Sequence, residues 1–159
     1  DGCMTDSAQT RAEGNNTVVT VADVRAAMDA AYPPALAESW DKVGLICGDP
    51  QDEVRRIALA LDCTDEVADR AIASGAQMLV VHHPLLLRGV NSVAADTPKG
   101  RIIHKLIRAG VALFAAHTNA DSARPGVNDQ LATVLGVEPG APLAPQPAPI
   151  QLQTSIQST

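Results

Sequence analysis

The sequence predicts an α/β domain with a mostly parallel central sheet, crossover helices on its faces and a three-layer arrangement. From residue 56 onward, short apolar runs alternate with amphipathic segments in the order strand, helix, strand, helix, strand, helix. That order is typical of parallel strands joined by right-handed crossovers. Hydrophobic residues make up 46% of the chain and aromatic residues only 2%, so the core must consist of Ala, Val, Leu and Ile, as in buried parallel sheets. The length of 159 residues suits one such domain.

The first predicted helix begins at Thr20 and ends before Pro33. The Thr20 hydroxyl can accept a hydrogen bond from a free backbone amide, and Asp23 lies in the first turn, where the helix dipole favours negative charge. An apolar run at residues 43–47, closed by a Gly-Asp-Pro turn, is the first predicted strand. These two elements precede the regular alternation.

Three strand–helix pairs complete the predicted domain. The predicted strands span 56–61, 77–81 and 111–116, and the predicted helices span 64–74, 98–109 and 125–135. Thr64 caps the first of these helices, Pro125 occupies an early position of the last, and a glycine ends each one. We expect a disordered tail at 1–17, the α/β domain at 18–138, and a Pro-rich linker with a polar tail at 139–159.

The composition excludes several classes of function. A net charge of −6 and three aromatic residues in all disfavour nucleic-acid binding, which needs basic surfaces and exposed rings. Three widely spaced cysteines indicate neither a zinc ribbon nor a disulfide framework. No apolar run reaches the roughly 20 residues that span a bilayer, and residues 1–17 lack the apolar segment of a signal peptide. We therefore expect a cytoplasmic protein that binds neither nucleic acid nor a membrane.

Histidines and acids follow two neighbouring predicted strands. His82 and His83 come directly after the strand at 77–81, while His117 and Asp121 follow the strand at 111–116. Parallel strands end on one edge of their sheet, and ligands of open α/β sheets bind there. Imidazole and carboxylate are ligands for zinc, iron and manganese. The sequence therefore predicts a divalent-metal site at this edge.

The strand geometry leaves open which of these histidines bind a metal ion and whether they bind the same one. Consecutive residues of an extended chain point to opposite sides, and Pro84 favours extended geometry at His83. We therefore expect His82 and His83 either to serve different ions of a two-metal site, or only one of them to face a metal. The alternative is that each histidine is an ordinary hydrogen-bonded group at a strand end.

Other residues close to these strand ends have simpler interpretations. Asp62 follows the strand at 56–61 and is expected to bind backbone amides of the next turn. Trp40 is expected to pack in the core, and Asp41 to lie in a turn. Asp62, Asp41 and His117 are nevertheless candidates for positions near the site. No phosphate-binding glycine loop, G-x-S-x-G elbow or H-E-x-x-H sequence occurs, so those chemistries have no support.

Three sequence blocks together resemble a known family: SWDKVGL at 39–45, VVHHPL at 80–85 and AHTNAD at 116–121. They are similar to the dinuclear-metal family of GTP cyclohydrolase 1 type 2 homologues, also called NIF-three-like, over about residues 20–138. The resemblance implies the family's α/β fold and matches His82, His83 and Asp121 to family metal ligands, with two divalent ions per complete site. It also implies a homohexamer with the sites facing an internal cavity, and a nucleotide substrate, since GTP ring opening is reported for some members. Lys42 stands where the family more often has Asn.

One departure bears on activity. The family completes its two-metal site with a His-x-x-x-Glu pair near the carboxyl terminus of a longer chain, whereas no histidine follows His117 here. The sequence thus resembles the amino-terminal half of a family member, and whether a partner chain supplies the missing ligands stays open. Three hypotheses follow: a metal-dependent hydrolase of a cyclic C–N bond, a non-catalytic metal-binding module or inactive fragment, and an α/β domain with incidental histidines.

Overall fold

The computed structural model describes residues 18–145, so the expectations for 1–17 and for 146–159 lie outside the described residues. The elements, in chain order, are α1 Val21–Ala31, a short 3-10 helix Pro34–Leu36, β1 Gly44–Cys47, β2 Ile57–Ala60, α2 Asp65–Ala73, β3 Met78–Val81, α3 Pro98–Arg108, β4 Ala112–Ala115, α4 Thr118–Ser122 and α5 Val127–Leu135. Within the described range, no helix is both long and apolar enough to cross a bilayer.

The four strands form one sheet in the order β1-β4-β3-β2. The strands β2, β3 and β4 are parallel, and their last residues Ala60, Val81 and Ala115 lie side by side. The predicted parallel alternation is confirmed. Strand β1 runs antiparallel to β4, with Gly44 opposite Ala115. Because of this reversal, the residues that precede β1 arrive at the edge where the other three strands end.

Helices cover both faces of the sheet. Leu79 and Val81 pack into one core cluster with residues of α2 and α3, while Met78 and Val80 pack with Val21 of α1 on the other face. This period of two is the geometry of a strand buried on both sides. Each such side chain contributes about 1.5–3 kcal/mol when fully buried. The predicted α/β class with three layers is therefore confirmed, and a rigid core lies beneath the strand ends.

Threonine side chains fix the starts of the first three helices. The Thr20 hydroxyl accepts from the amide of Asp23, whose carboxylate in turn accepts from the Thr20 amide, closing a capping box. Thr64 caps α2 and Thr97 caps α3 through the same kind of bond. Each cap satisfies a backbone donor that the helix itself leaves free. The Thr20 and Thr64 caps were predicted.

The carboxyl-terminal elements differ from the prediction in two places. Helix α4 has no counterpart among the predicted helices. Helix α5 begins at Val127, so Pro125 lies before the helix, with a cis peptide bond to Arg124, and its predicted place early in the helix is wrong. The reason is that the amide of Gly126 donates to the Asp129 carboxylate at 2.9 Å, which sets the start of the helix one residue beyond Gly126.

Candidate metal centre

Three histidines meet at the carboxyl edge of the parallel strands. His82 and His83 directly follow β3, and His117 lies between β4 and α4. One ring nitrogen from each lies within 4.8 Å of the others. Two nitrogens bound to one zinc ion at about 2.1 Å are at most about 4.2 Å apart. Small side-chain rotations would therefore let all three imidazoles share a single ion.

The side chains of His82 and His83 do not point to opposite sides, as continued extended geometry would require, and their division between two ions stays a prediction. Their ring centroids lie 5.1 Å apart, and both rings also approach the ring of His117, at 5.2 and 5.5 Å. Strand β3 ends at Val81 and the chain bends at both histidines. The alternation of an extended strand therefore no longer applies there, and the two consecutive rings can lie on the same side.

All three imidazoles are held by hydrogen bonds from Nδ1 to an oxygen. The pairs are His82 Nδ1 with the Ala116 carbonyl at 2.9 Å, His83 Nδ1 with Asp62 Oδ1 at 2.8 Å, and His117 Nδ1 with Asp41 Oδ1 at 3.0 Å. A carbonyl or carboxylate oxygen only accepts, so the proton lies on Nδ1 and the lone pair of each neutral ring lies on Nε2. Metal-binding histidines almost always have this arrangement, which orients the ring and selects the tautomer.

Asp41 anchors one side of the site from a buried position. Its carboxylate accepts from the hydroxyl and amide of Thr118, from His117, and from the amide of Lys42. Burial by itself raises the pKa of Asp41, but these hydrogen bonds outweigh it and lower the pKa to about 2. Asp41 is thus a charged group that positions His117. Its predicted place in a turn is also present, since its amide donates to the Glu38 carbonyl at 2.9 Å.

Asp62 has the corresponding role for His83 at the solvent-exposed side. The side chains of Asp62 and His83 are 54% and 45% exposed, in contrast to the fully covered side chain of Asp41. The expectation that Asp62 binds backbone amides of the following turn is wrong, because its recorded hydrogen bond goes to His83. The two acids named as near-site candidates therefore each hold one imidazole.

Asp121 lies beside the imidazole of His82. Its Oδ1 atom is 3.5 Å from Nε2 of His82, and its amide donates to the carbonyl of His117 within α4. Helix α4 holds it one helical turn beyond His117. At this distance a cation could contact both Asp121 and the His82 lone pair. With Asp41 and Asp62, it makes the surroundings of the imidazoles negative, which favours a cation.

Two further residues complete the surroundings of the site. Thr118 was not predicted, although its hydroxyl also accepts from the Glu38 amide at 2.9 Å and so ties α4 to the segment before β1. Trp40 was expected in the core but is 56% exposed, and its ring meets the His117 ring edge to face at 6.1 Å. The sequence signal for each was its place within one of the three blocks, Trp40 in SWDKVGL and Thr118 in AHTNAD.

The fold and the site together define an α/β protein with a cluster of three histidines that could hold a metal ion at the carboxyl edge of its sheet. The sequence model of the Duf34/NIF3 (NGG1p interacting factor 3) family matches residues 19–159. The chain belongs to this family, as the three sequence blocks indicated.

Relatives and solved structures agree with this assignment. The chain is 55% identical to a GTP cyclohydrolase 1 type 2 homolog of Mycobacterium tuberculosis over 134 residues, or 84% of this chain and 35% of the relative. It is 49% identical to one from Streptomyces coelicolor, over 80% of this chain and 45% of the relative. A Bacillus cereus protein related to NIF3 superposes with a TM-score of 0.75 at 40% identity, covering 81% and 36% of the two chains. Reduced HcgD from Methanocaldococcus jannaschii gives 0.72 at 28% identity, covering 79% and 50%.

Proposed function

We propose that this chain binds a divalent metal ion through Nε2 of His82, His83 and His117, with Asp121 beside them. The observation that supports this most is the common state of the three rings. In each ring Nδ1 donates its proton to a fixed oxygen, which leaves the Nε2 lone pair for another ligand. Three incidental histidines would have no reason to share that tautomer and also to place one ring nitrogen each within 4.8 Å of the others.

The donor set fits such an ion and narrows its identity. Three neutral imidazoles with a nearby carboxylate suit zinc or iron better than manganese, which prefers oxygen ligands. Bound there, the ion would supply Lewis acidity, lowering the pKa of water and polarising the bond to be cleaved. The chain's own contribution is to fix the rings, and the exposed side of His83 leaves one side of the site open to a substrate.

We further propose that the complete site belongs to a hydrolase that opens a nucleotide or a related cyclic C–N bond. The support is the name of the relatives, GTP cyclohydrolase 1 type 2 homolog, together with the site chemistry above. The chain spans about a third of the length of the mycobacterial relative. Activity and substrate are therefore proposals for the whole protein, including a second ion held by ligands outside the cluster described here.

Metal analysis tests the binding proposal directly. Purified protein is loaded with zinc, iron or manganese, dialysed, and analysed by plasma mass spectrometry. We expect stoichiometric metal in the wild type and a large loss in His83→Ala. His104→Ala is the matched control, since His104 lies on the exposed surface of α3, and it should retain the metal. Equal metal content in all three proteins would refute the assignment.

Turnover separates the hydrolase from a second candidate. Among residues 18–145, His82, His83 and His117 form the single group of three or more ligands suited to a metal, which favours a one-ion binding module without catalysis of its own. Metal-loaded protein is incubated with GTP and release of the ring-opened product is followed. GTP turnover that disappears in His83→Ala supports the hydrolase, whereas stoichiometric metal without turnover supports the module.

We also propose a cytoplasmic homo-oligomer, a hexamer by family resemblance. Exposed apolar side chains support association, because monomers rarely leave such groups in patches. Leu59 on the edge strand β2 is 79% exposed, and Val134 and Leu135 on α5 are 82% and 67% exposed. Light scattering of the purified chain tests this, and a monomer at all concentrations would contradict it.

A further inference from the structure

Trp40 is the most unusual exposed residue of this surface. Tryptophan is a large apolar residue that proteins normally keep mostly covered, yet Trp40 is 56% exposed. It is the chain's one tryptophan, and it lies against the ring of His117, a proposed metal ligand. An uncovered indole at that place needs a physical reason other than core packing.

The segment that presents Trp40 is fixed on both sides. The amide of Asp41 donates to the Glu38 carbonyl at 2.9 Å, and the Glu38 amide donates to the Thr118 hydroxyl at 2.9 Å. The buried Asp41 carboxylate binds both His117 and Thr118. The same acid therefore orients an imidazole of the site and anchors the residue next to the indole. The position of Trp40 is consequently fixed relative to the proposed metal centre.

The contact with His117 leaves the indole available. The two ring planes meet at 80° with centroids 6.1 Å apart, so at least one face of the indole has no partner in this pair. A free indole face attracts planar rings by stacking and cations by its quadrupole. An ammonium or guanidinium group at this face would be repelled by a metal ion in the site, without the bridging ligands that offset such repulsion in a two-metal site, whereas a planar uncharged ring is compatible with the ion.

We propose that Trp40 is the specificity-determining residue of this site, and that it stacks on the planar heteroaromatic ring of the substrate, such as a purine base. This inference rests on the proposed function, because it needs the metal centre to receive the reacting part of the same molecule. Trp40 then recognises the ring, while the imidazole cluster lies beside it. The substrate class is accordingly a small molecule that combines a planar ring with a polar group able to approach a cation.

The single tryptophan makes the proposal directly measurable. Zinc-loaded protein is titrated with GTP, and separately with inorganic tripolyphosphate, while indole fluorescence is excited beyond the absorption of guanine. We expect saturable quenching by GTP. Tripolyphosphate lacks a ring and should compete with GTP without quenching by itself.

Variants measured by equilibrium dialysis with labelled GTP provide the second readout. Base–aromatic stacking is lost in Trp40→Leu, and its usual strength corresponds to about 5- to 150-fold weaker binding. Trp40→Phe keeps a ring and should bind GTP within a few fold of the wild type. Both variants should retain stoichiometric zinc, since neither removes a ligand.

The outcomes separate this inference from the function on which it rests. The stacking role alone is overturned if the wild type binds zinc and GTP but Trp40→Leu binds GTP equally well. It is also overturned if GTP binds to the zinc-loaded wild type without quenching the indole fluorescence. Zinc bound without any GTP binding overturns the proposed substrate class. Absence of zinc from the wild type overturns both the metal centre and this inference.

Discussion

The substitution Asp41→Asn tests the claim that a buried charge holds the site together. The Asp41 side chain is fully covered, and it accepts from His117 at 3.0 Å, from the Thr118 amide at 3.0 Å and from the Lys42 amide at 2.7 Å. Asparagine has nearly the same shape but no charge, and it places an amide donor where one carboxylate oxygen accepts. At least one of the present donors then loses its acceptor.

The magnitude follows from the pKa of Asp41. Burial raises this pKa, and the hydrogen bonds more than reverse that effect, so the pKa falls from 3.8 to about 2. At about 1.4 kcal/mol for each tenfold change in proton affinity, the ionised carboxylate contributes about 2 kcal/mol to folding. Because the folded pKa is the lower one, this contribution is present at neutral pH and disappears as the pH falls from about 4 to about 2.

Urea unfolding of metal-free protein, followed by circular dichroism at several pH values, measures this difference. We expect Asp41→Asn to lower the free energy of unfolding by about 2 kcal/mol at neutral pH, with the gap narrowing below about pH 4. Asp62→Asn is the matched control: its carboxylate also holds a histidine but is 54% exposed, and the expected loss is under about 1 kcal/mol. Both variants should bind zinc about 10- to 100-fold more weakly. Equal neutral-pH stability of wild type and Asp41→Asn would falsify the reasoning.

Three further outcomes are expected. Gly48→Ala should destabilise the fold by more than about 2 kcal/mol, because a Cβ at this position (φ +117°) would lie 2.5 Å from Cβ of Ala112. Gly75→Ala (φ +72°) places its Cβ where nothing lies within 4 Å, so it should lower the free energy of unfolding only by the backbone strain, about 1–2 kcal/mol. Equal urea midpoints for the two variants would contradict this. In a Cys3→Ser background, Cys63 should resist a thiol reagent near neutral pH until the protein is unfolded, since burial raises the pKa of its thiol to about 11; rapid labelling of folded Cys63 would refute it. Chelation of the metal should leave the far-ultraviolet spectrum unchanged while lowering Tm, because two hydrophobic core clusters on the faces of the sheet hold the strand ends independently of the ligands. Unfolding on chelation would show that the site is not preformed.

The sequence predicted the layers of this fold because its signals are local. Alternation of apolar runs with amphipathic segments defines β2, β3 and β4 and their parallel order, and threonine caps define two helix starts. The orientation of β1 has no such signal. A strand outside the alternation can join the sheet in either direction, and only pairing with β4, where Gly44 lies opposite Ala115, settles it.

Part of the candidate site was also predictable, because it depends only on the parallel order of the strands. Strand ends placed His82, His83 and His117 at one edge correctly, since that inference needs only the parallel order. The inference that His82 and His83 diverge assumed that extended geometry continues beyond Val81. It does not, because the amides of both His82 and His83 donate to the neighbouring chain, to the carbonyls of Ala60 and Leu61, whereas consecutive amides of an extended strand face opposite sides.

The acids that hold the imidazoles could not be assigned from sequence, and the fold explains why. Asp41 is 76 positions from His117 and Asp62 is 21 positions from His83, so neither pair has a recognisable spacing. Asp62 reaches the site because β2 is parallel to β3, and Asp41 reaches it because β1 is antiparallel to β4. One direction of pairing was predictable and the other was not. The reversal of the edge strand β1 therefore places both the buried carboxylate of Asp41 and the exposed indole of Trp40 beside His117. It also brings the segment before β1 to a side of the site that the parallel strands alone would leave open.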